Sequence, residues 1–276
     1  MGEETDRIVP GHDPGRAPVI DTSVAHLARV YDYWLGGKDN FPADREAAEQ
    51  AIAAYPMLPR SARSNRAFMR RAVRFLAAEA GIRQFLDIGT GIPTSPNVHE
   101  VAQAVAPESR IVYADNDPIV LVHARALLTS GPEGLTDYID GDVHDPDSIL
   151  DTAAKTLDLT RPVGLLLVAI LHVVRDAQEA AGIVARLLAA VPPGSYLVLS
   201  HVAKDVQEEQ VAEMMARLSR LLHVELAART SAEVSRFFEG LELVAPGVVQ
   251  VHRWRPDQGV DLGEEFPMHG GVARKP

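Results

Sequence analysis

Residues 84–95 read QFLDIGTGIPTS. An apolar run of strand length meets a carboxylate at Asp87, then a Gly-x-Gly step at Gly89 and Gly91. Glycine at both places lets the backbone turn sharply and approach a ligand, because no Cβ restricts it. The pattern predicts a strand that breaks into a ligand-binding turn and then a helix over NVHEVAQAVA. The sixth position counted from Gly89 is Thr94, so the third glycine of a dinucleotide fingerprint is missing. Pro93 stiffens the exit of the turn, and Thr94 or Ser95 is expected to cap the helix that follows.

Downstream the same rhythm repeats. RIVYAD (110–115), LTDYIDGD (135–142), PVGLLLVAIL (162–171) and GSYLVLSHV (194–202) are each followed by a helical pattern. Strands alternating with helices imply a parallel sheet covered on both faces. The unbroken apolar character of 162–171 suits a central strand. LELVAPGVVQVHRW (241–254) reads as two strands around Ala-Pro-Gly, expected to pair antiparallel. Upstream, SVAHLARVYDYWLGG, FPADREAAEQAIAAYP and SARSNRAFMRRAVRFLAAEAG read as three helices, the first capped by Ser23 and stopped by Gly36–Gly37. The expected fold is α/β: a Rossmann-like, mostly parallel seven-stranded sheet with helices on both faces, a terminal antiparallel strand pair and an N-terminal helical extension. By segment, 1–20 reads as flexible, 21–81 as a helical cap or lid, 82–256 as the Rossmann-like domain and 257–276 as an irregular tail.

Composition bounds what such a domain does. The 276 residues carry a formal charge of −11, which argues against a general affinity for nucleic acid or an anionic membrane. No cysteine is present, so disulfides and thiolate metal sites are excluded, and a reducing cytoplasm fits. The opening MGEETDRIVPGHDPGRAP lacks the apolar core of a signal peptide. The longest apolar run, VGLLLVAILHVV, contains His172 and is too short to span a bilayer. DGDVHDPD lacks the register of a calcium loop, so no metal site is expected. Oligomeric state is left open.

Ligands of open parallel sheets bind beyond the carboxyl ends of the strands. Carboxylates fall at three successive ends here: Asp87, Asp115 and Asp142. Asp115, with Asn116 beside it, is placed to accept both hydroxyls of a ribose. Asp142 can accept from an adenine amino group, while Val143 offers an apolar contact and an amide. Ala169, Ile170 and Leu171 are expected to line the adenine and amino-acid pocket. A lone Gly-x-Gly is a weak signal, and Asp117 before Pro118 reads as a helix cap. The joint pattern carries the argument. A pyrophosphate would want a third glycine and would be repelled by these carboxylates, whereas the cationic S-adenosylmethionine is favoured by them.

The segments FLDIGTG, IVYADND and DGDV resemble class I S-adenosylmethionine-dependent methyltransferases. RVYDYWLGGKDNFPADREAA, NRAFMRRAVRFL, QFLDIGTGIPT, VYADNDPIVL and PGVVQVHRWRP resemble, more narrowly, an actinobacterial S-adenosyl methyltransferase family of largely unassigned function. The resemblance runs over roughly residues 22 to 256. It implies a Rossmann-like sheet with a terminal antiparallel hairpin, and S-adenosylmethionine as cofactor with S-adenosylhomocysteine as product. The cofactor positions it implies are Asp87, Gly89, Gly91, Asp115, Asp142 and Val143. It names no acceptor.

The N-terminal helices are the expected acceptor wall, with Tyr31, Tyr33, Asn40 and Phe41 as lid and substrate residues beside a Gly-Gly hinge. The alternative is an amphipathic helix whose aromatics only pack. Arg66, in the locally basic RSARSNRAFMRR, is assigned to the cofactor carboxylate or an acidic substrate; a solvated helix face is the simpler reading. His172, just past the fourth strand, is the candidate catalytic base, His201 the second, and a hydrogen-bonded core histidine the alternative. The leading expectation is methyl transfer to a small molecule. A non-catalytic S-adenosylmethionine-binding module and an NAD-dependent oxidoreductase are the alternatives.

Overall fold

The computed structural model describes residues 21–127, 130–259 and 262–276. The flexible segment expected over 1–20 lies outside them. Three helices come first: α1 (Leu27–Leu35), α2 (Pro42–Ala54) and α3 (Leu58–Ala78). Then strands β1 (Gln84–Ile88), β2 (Arg110–Asp115), β3 (Leu135–Asp140), β4 (Gly164–Val168) and β5 (Tyr196–Val202) alternate with α4 (Val98–Gln103), α5 (Pro118–Leu127), α6 (Pro146–Ala153) and α7 (Ala177–Ala189). Helices α8 (Glu208–Leu222) and α9 (Ser231–Arg236) lead into β6 (Glu242–Leu243), β7 (Val249–Gln250) and β8 (Met268–Arg274).

Strands β1 to β5 are parallel in the spatial order 3-2-1-4-5. The chain reverses direction across the sheet after β3, so a crevice opens beside β1 and β4, where ligands of such sheets bind. Period-two alternation explains why both faces are buried. Leu86, Ile88, Val112, Leu165, Leu167, Leu197 and Leu199 enter one apolar cluster with α6 and α7. Phe85, Ile111, Tyr113, Leu166 and Val198 enter the other, under α3 and Trp254.

The antiparallel part differs from the expected hairpin. β6 and β7 do not pair with each other; both lie along one edge of β8, whose other edge is antiparallel to β5. The register slips by three residues between them, from Leu243 opposite Ala273 to Val249 opposite Gly270. Together they fill one strand position, which makes seven positions across the sheet. The tail is therefore not irregular throughout, since Met268–Arg274 is a buried strand. The segment is rich in glycine and proline, the composition of irregular chain, yet Gly270 and Gly271 both lie within the strand. A Cβ on Gly270 would sit 2.9 Å from Val251 and 3.1 Å from Phe68, and one on Gly271 3.2 Å from Phe238. These glycines answer to close packing, not to a turn.

The cap is fastened to the sheet. α3 puts Leu58 and Ala62 into a third cluster with α1, α2 and α8, and Phe68 to Leu76 into the cluster over the sheet. α1 begins at Leu27 rather than after Ser23, because the Ser23 amide and hydroxyl both donate to Asp21. Its stop matches expectation, with Gly36 at φ 85°. Among the described residues no helix is long and apolar enough to cross a membrane.

Candidate functional site

The turn after β1 is built around Asp115. Gly89 and Gly91 have φ of 73° and 67°, values that side-chain-bearing residues seldom adopt. The Gly91 amide donates to Asp115 Oδ2 at 2.8 Å, and the Asp117 amide donates to Oδ1 at 3.0 Å. Burial pushes the Asp115 carboxyl above the usual range, against those two donors. Asp87 is also buried and accepts from Thr90 Oγ1 at 3.1 Å. Its pKa is raised to about 6, chiefly by burial, with Asp115 adding repulsion and Arg66 and Thr90 opposing. Arg66 reaches this turn from α3 and donates through Nη2 to the Thr94 and Pro96 carbonyls, at 2.5 and 3.1 Å. The next helix is capped at Asn97, not at Thr94 or Ser95. The Asn97 amide donates to the Glu100 carboxylate at 2.5 Å, and the Thr94 amide donates to Asn97 Oδ1 at 3.0 Å.

The third strand end presents a half-exposed Asp142, whose Oδ1 accepts from the His144 amide and faces its Nδ1 at 2.7 Å. Burial raises the Asp142 carboxyl, but the bonds from His144, with a further one from Asn116, outweigh it and hold the group below its usual value. Val143 is buried beside it. At the fourth end Ala169 takes φ 56°, and its amide is fixed by the Ser200 carbonyl and Oγ at 3.1 and 3.0 Å. A non-glycine residue held there stores on the order of 1 kcal/mol of strain, a feature found at ligand clamps.

A cavity of about 390 Å³ joins these ends to the cap. Asp87, Gly89, Gly91, Asp115, Asn116, Asp142, Val143, Ala169, Arg66, His172 and Tyr31 all line it. Tyr33, Asn40 and Phe41 do not, and their bonds say why. The Tyr33 hydroxyl turns outward to Glu49. Asn40 donates to Asp32 Oδ2 at 2.8 Å and to the Gly37 carbonyl at 3.1 Å, closing the loop between α1 and α2. Phe41 packs on the Ile92, Ile119 and Val120 cluster under Arg29. The Gly36–Gly37 step is thus a bonded turn rather than an open hinge; a Cβ on Gly37 would collide with the Asp32 carboxylate.

His172 is buried, with no hydrogen-bond partner at Nδ1. Burial, reinforced by His201 and Arg229, pushes its pKa down to about 3, so the ring is neutral at physiological pH. Arg229 lies behind it, with Nη1 2.6 Å from His201 Nε2 and donating to the Leu171 carbonyl. His201 itself is wholly buried and belongs to this support, not to the cavity wall.

Reading along the chain missed the apolar wall: Met214, Met215 and Leu218 of α8 line the cavity together with Trp34 of α1 and Leu58 of α3. Their spacing gave only an amphipathic helix, which does not say what the apolar face covers. It also missed Asn65, which accepts from Ser200 Oγ at 2.7 Å and donates to the Tyr31 hydroxyl at 3.1 Å. The rim has a further tie: His26 Nδ1 lies 2.9 Å from Asp117 Oδ2, and Arg29 Nε 3.6 Å from the same oxygen. Asp117 also caps α5, as expected, accepting from the Ile119 amide at 2.9 Å.

Residues 14–276 match the model of a family described as S-adenosyl methyltransferase. A crystal structure of a DUF574 family protein from Streptomyces avermitilis is 54% identical, covers 94% of this chain and 100% of its own, and superposes with a TM-score of 0.90. A candidate methyltransferase from Thermobifida fusca is 42% identical over 92% of this chain and 96% of its own, with a TM-score of 0.86. No curated protein matches the chain.

Proposed function

Because the chain belongs to the S-adenosyl methyltransferase family, we propose that it binds S-adenosylmethionine at the ends of β1 to β4 and methylates a small molecule held under the cap. The observation that carries this reading is one cavity on which three strand-end carboxylates converge and which runs on between α1, α3 and α8. The donor set suits the cofactor. Burial raises Asp87 to about 6 despite Arg66, so a further positive charge from a sulfonium or an ammonium would favour its ionised form, as a pyrophosphate would not. Gly91 opens freely, since a Cβ there would meet nothing within 4 Å.

Asp115 would hold the ribose. Each of its oxygens has one backbone donor and keeps a lone pair for a hydroxyl. Asp142 and Val143 would bind the adenine, and Asp87 with Arg66 would border the amino-acid end. Bound there, S-adenosylmethionine would supply an electrophilic methyl group to the acceptor. The protein's own part is alignment and exclusion of water. Ala169, fixed by Ser200, sets the floor of the cavity, and α1, pinned to Asp117 by His26 and Arg29, sets the roof. His172, at about 3, is a weak proton acceptor and contributes a lone pair rather than a strong base.

Calorimetry with S-adenosylmethionine and S-adenosylhomocysteine tests the reading. Binding is expected, and Asp115→Ala should weaken it at least about tenfold, about 1.4 kcal/mol. Failure of both ligands to bind at roughly millimolar concentration, a binding energy of only about 4 kcal/mol, would sink it.

A further inference from the structure

We propose that the part of the cavity beyond the strand ends is a subsite for a neutral, largely apolar molecule that donates one hydroxyl hydrogen to a polar strip formed by Tyr31, Asn65 and His172. This deepens the methyltransferase reading and rests on it. The first support is the distribution of charge. Of the ionisable side chains on the cavity besides Tyr31 and the neutral His172, Asp87 and Asp115 stand at the ends of β1 and β2, Asp142 and His144 on the loop after β3, and Arg66 is bonded to the β1–α4 turn. His26 is at the rim, against Asp117. The opposite wall is Trp34, Leu58, Met214, Met215, Leu218 and Leu226. A ligand charge buried there would meet no counter-ion, at a cost of several kcal/mol.

The second support is the hydrogen-bond direction along the strip. Ser200 Oγ donates to Asn65 Oδ1 at 2.7 Å, Asn65 Nδ2 donates to the Tyr31 hydroxyl at 3.1 Å, and that hydroxyl donates to the Ala62 carbonyl at 3.1 Å. Tyr31 has thereby spent its one proton and keeps one lone pair. His172 is neutral, so its ring carries one lone pair and one N–H, and its Nδ1 has no partner among the described residues. Tyr31 can only accept and His172 offers one lone pair, so a ligand that donates a hydroxyl hydrogen fits both. A hydroxyl does so before methylation, and its methyl ether no longer can. The strip therefore favours substrate over product, which assists release.

The test uses 1-naphthol and 2-naphthol, their methyl ethers and 6-hydroxy-2-naphthoate as probes, titrated into the full chain saturated with S-adenosylhomocysteine. A naphthol is expected to bind. Its methyl ether should bind about tenfold more weakly, and the carboxylate more weakly still. Tyr31→Phe should bring naphthol and ether closer together, where a merely structural role would weaken both equally. The proposal is overturned if neither naphthol binds at submillimolar concentration to protein that still binds S-adenosylhomocysteine. It is overturned equally if ether or carboxylate binds as tightly as the naphthol. Loss of S-adenosylhomocysteine binding itself would instead strike the cofactor reading.

Discussion

Replacing Asp87 by Asn should stabilise the ligand-free protein while impairing the site. The carboxyl is 6% exposed at the end of β1, and burial lifts its pKa from 3.8 to about 6. The native state thus holds this proton more tightly than the unfolded chain does. Stability from Asp87 is full below pH 3.8, falls as pH rises toward 6, and is wholly lost above it. The gap corresponds to about 3 kcal/mol at neutral pH and roughly half of that near pH 5. Asn keeps an oxygen for Thr90 Oγ1 and carries no charge to bury, so it should recover most of that energy. Urea unfolding near pH 7.5 and near pH 5 measures it, with an expected gain of about 2–3 kcal/mol at the higher pH and about half as much at the lower. In parallel, affinity for S-adenosylmethionine should rise with pH through about 6 in the wild type and lose that dependence in the variant. A variant no more stable than wild type, or one stabilised equally at both pH values, would refute the argument that an unmet charge is stored at this position.

The two glycines of the turn should respond unequally to alanine. Gly89→Ala meets both a φ of 73° and an Ile170 side chain 2.5 Å from the new Cβ, so a loss of about 2–4 kcal/mol is expected in urea unfolding. Gly91→Ala meets only the backbone penalty, about 1 kcal/mol, and equal losses would count against the packing described. For His172, a pKa near 3 predicts imidazole resonances that do not titrate between about pH 5 and 8 by NMR, and a midpoint near 6.5 would show that the ring is not enclosed as described.

The family matched over residues 14–276 is the one that the quoted motifs already resembled. The parallel strands and the carboxylates at their ends were legible because their signals are local. A buried strand must alternate its side chains between two apolar faces, so QFLDI and its neighbours declare themselves in sequence. A carboxylate at a strand end stands on the ligand side by topology alone, and Asp87, Asp115 and Asp142 all line the cavity. What was not legible depends on long-range contact. Gly270 and Gly271 belong to a stretch that reads as irregular until Phe68, Val251 and Phe238, from other parts of the chain, are seen pressed against them. Tyr31 and Tyr33 sit two apart on one helix, and nothing in YDYW tells that the first faces Asn65 and the second Glu49. Residues two apart on a helix point to different sides, and which side meets the cavity is set by how α1 packs on α2 and α3. The sequence by itself determined the five parallel strands, the carboxylates at their ends and the family. The tertiary structure alone decided the apolar wall of the cavity, because α1, α3 and α8 meet only when the chain has folded, and an apolar helix face does not announce whether it will cover a core or line a cavity.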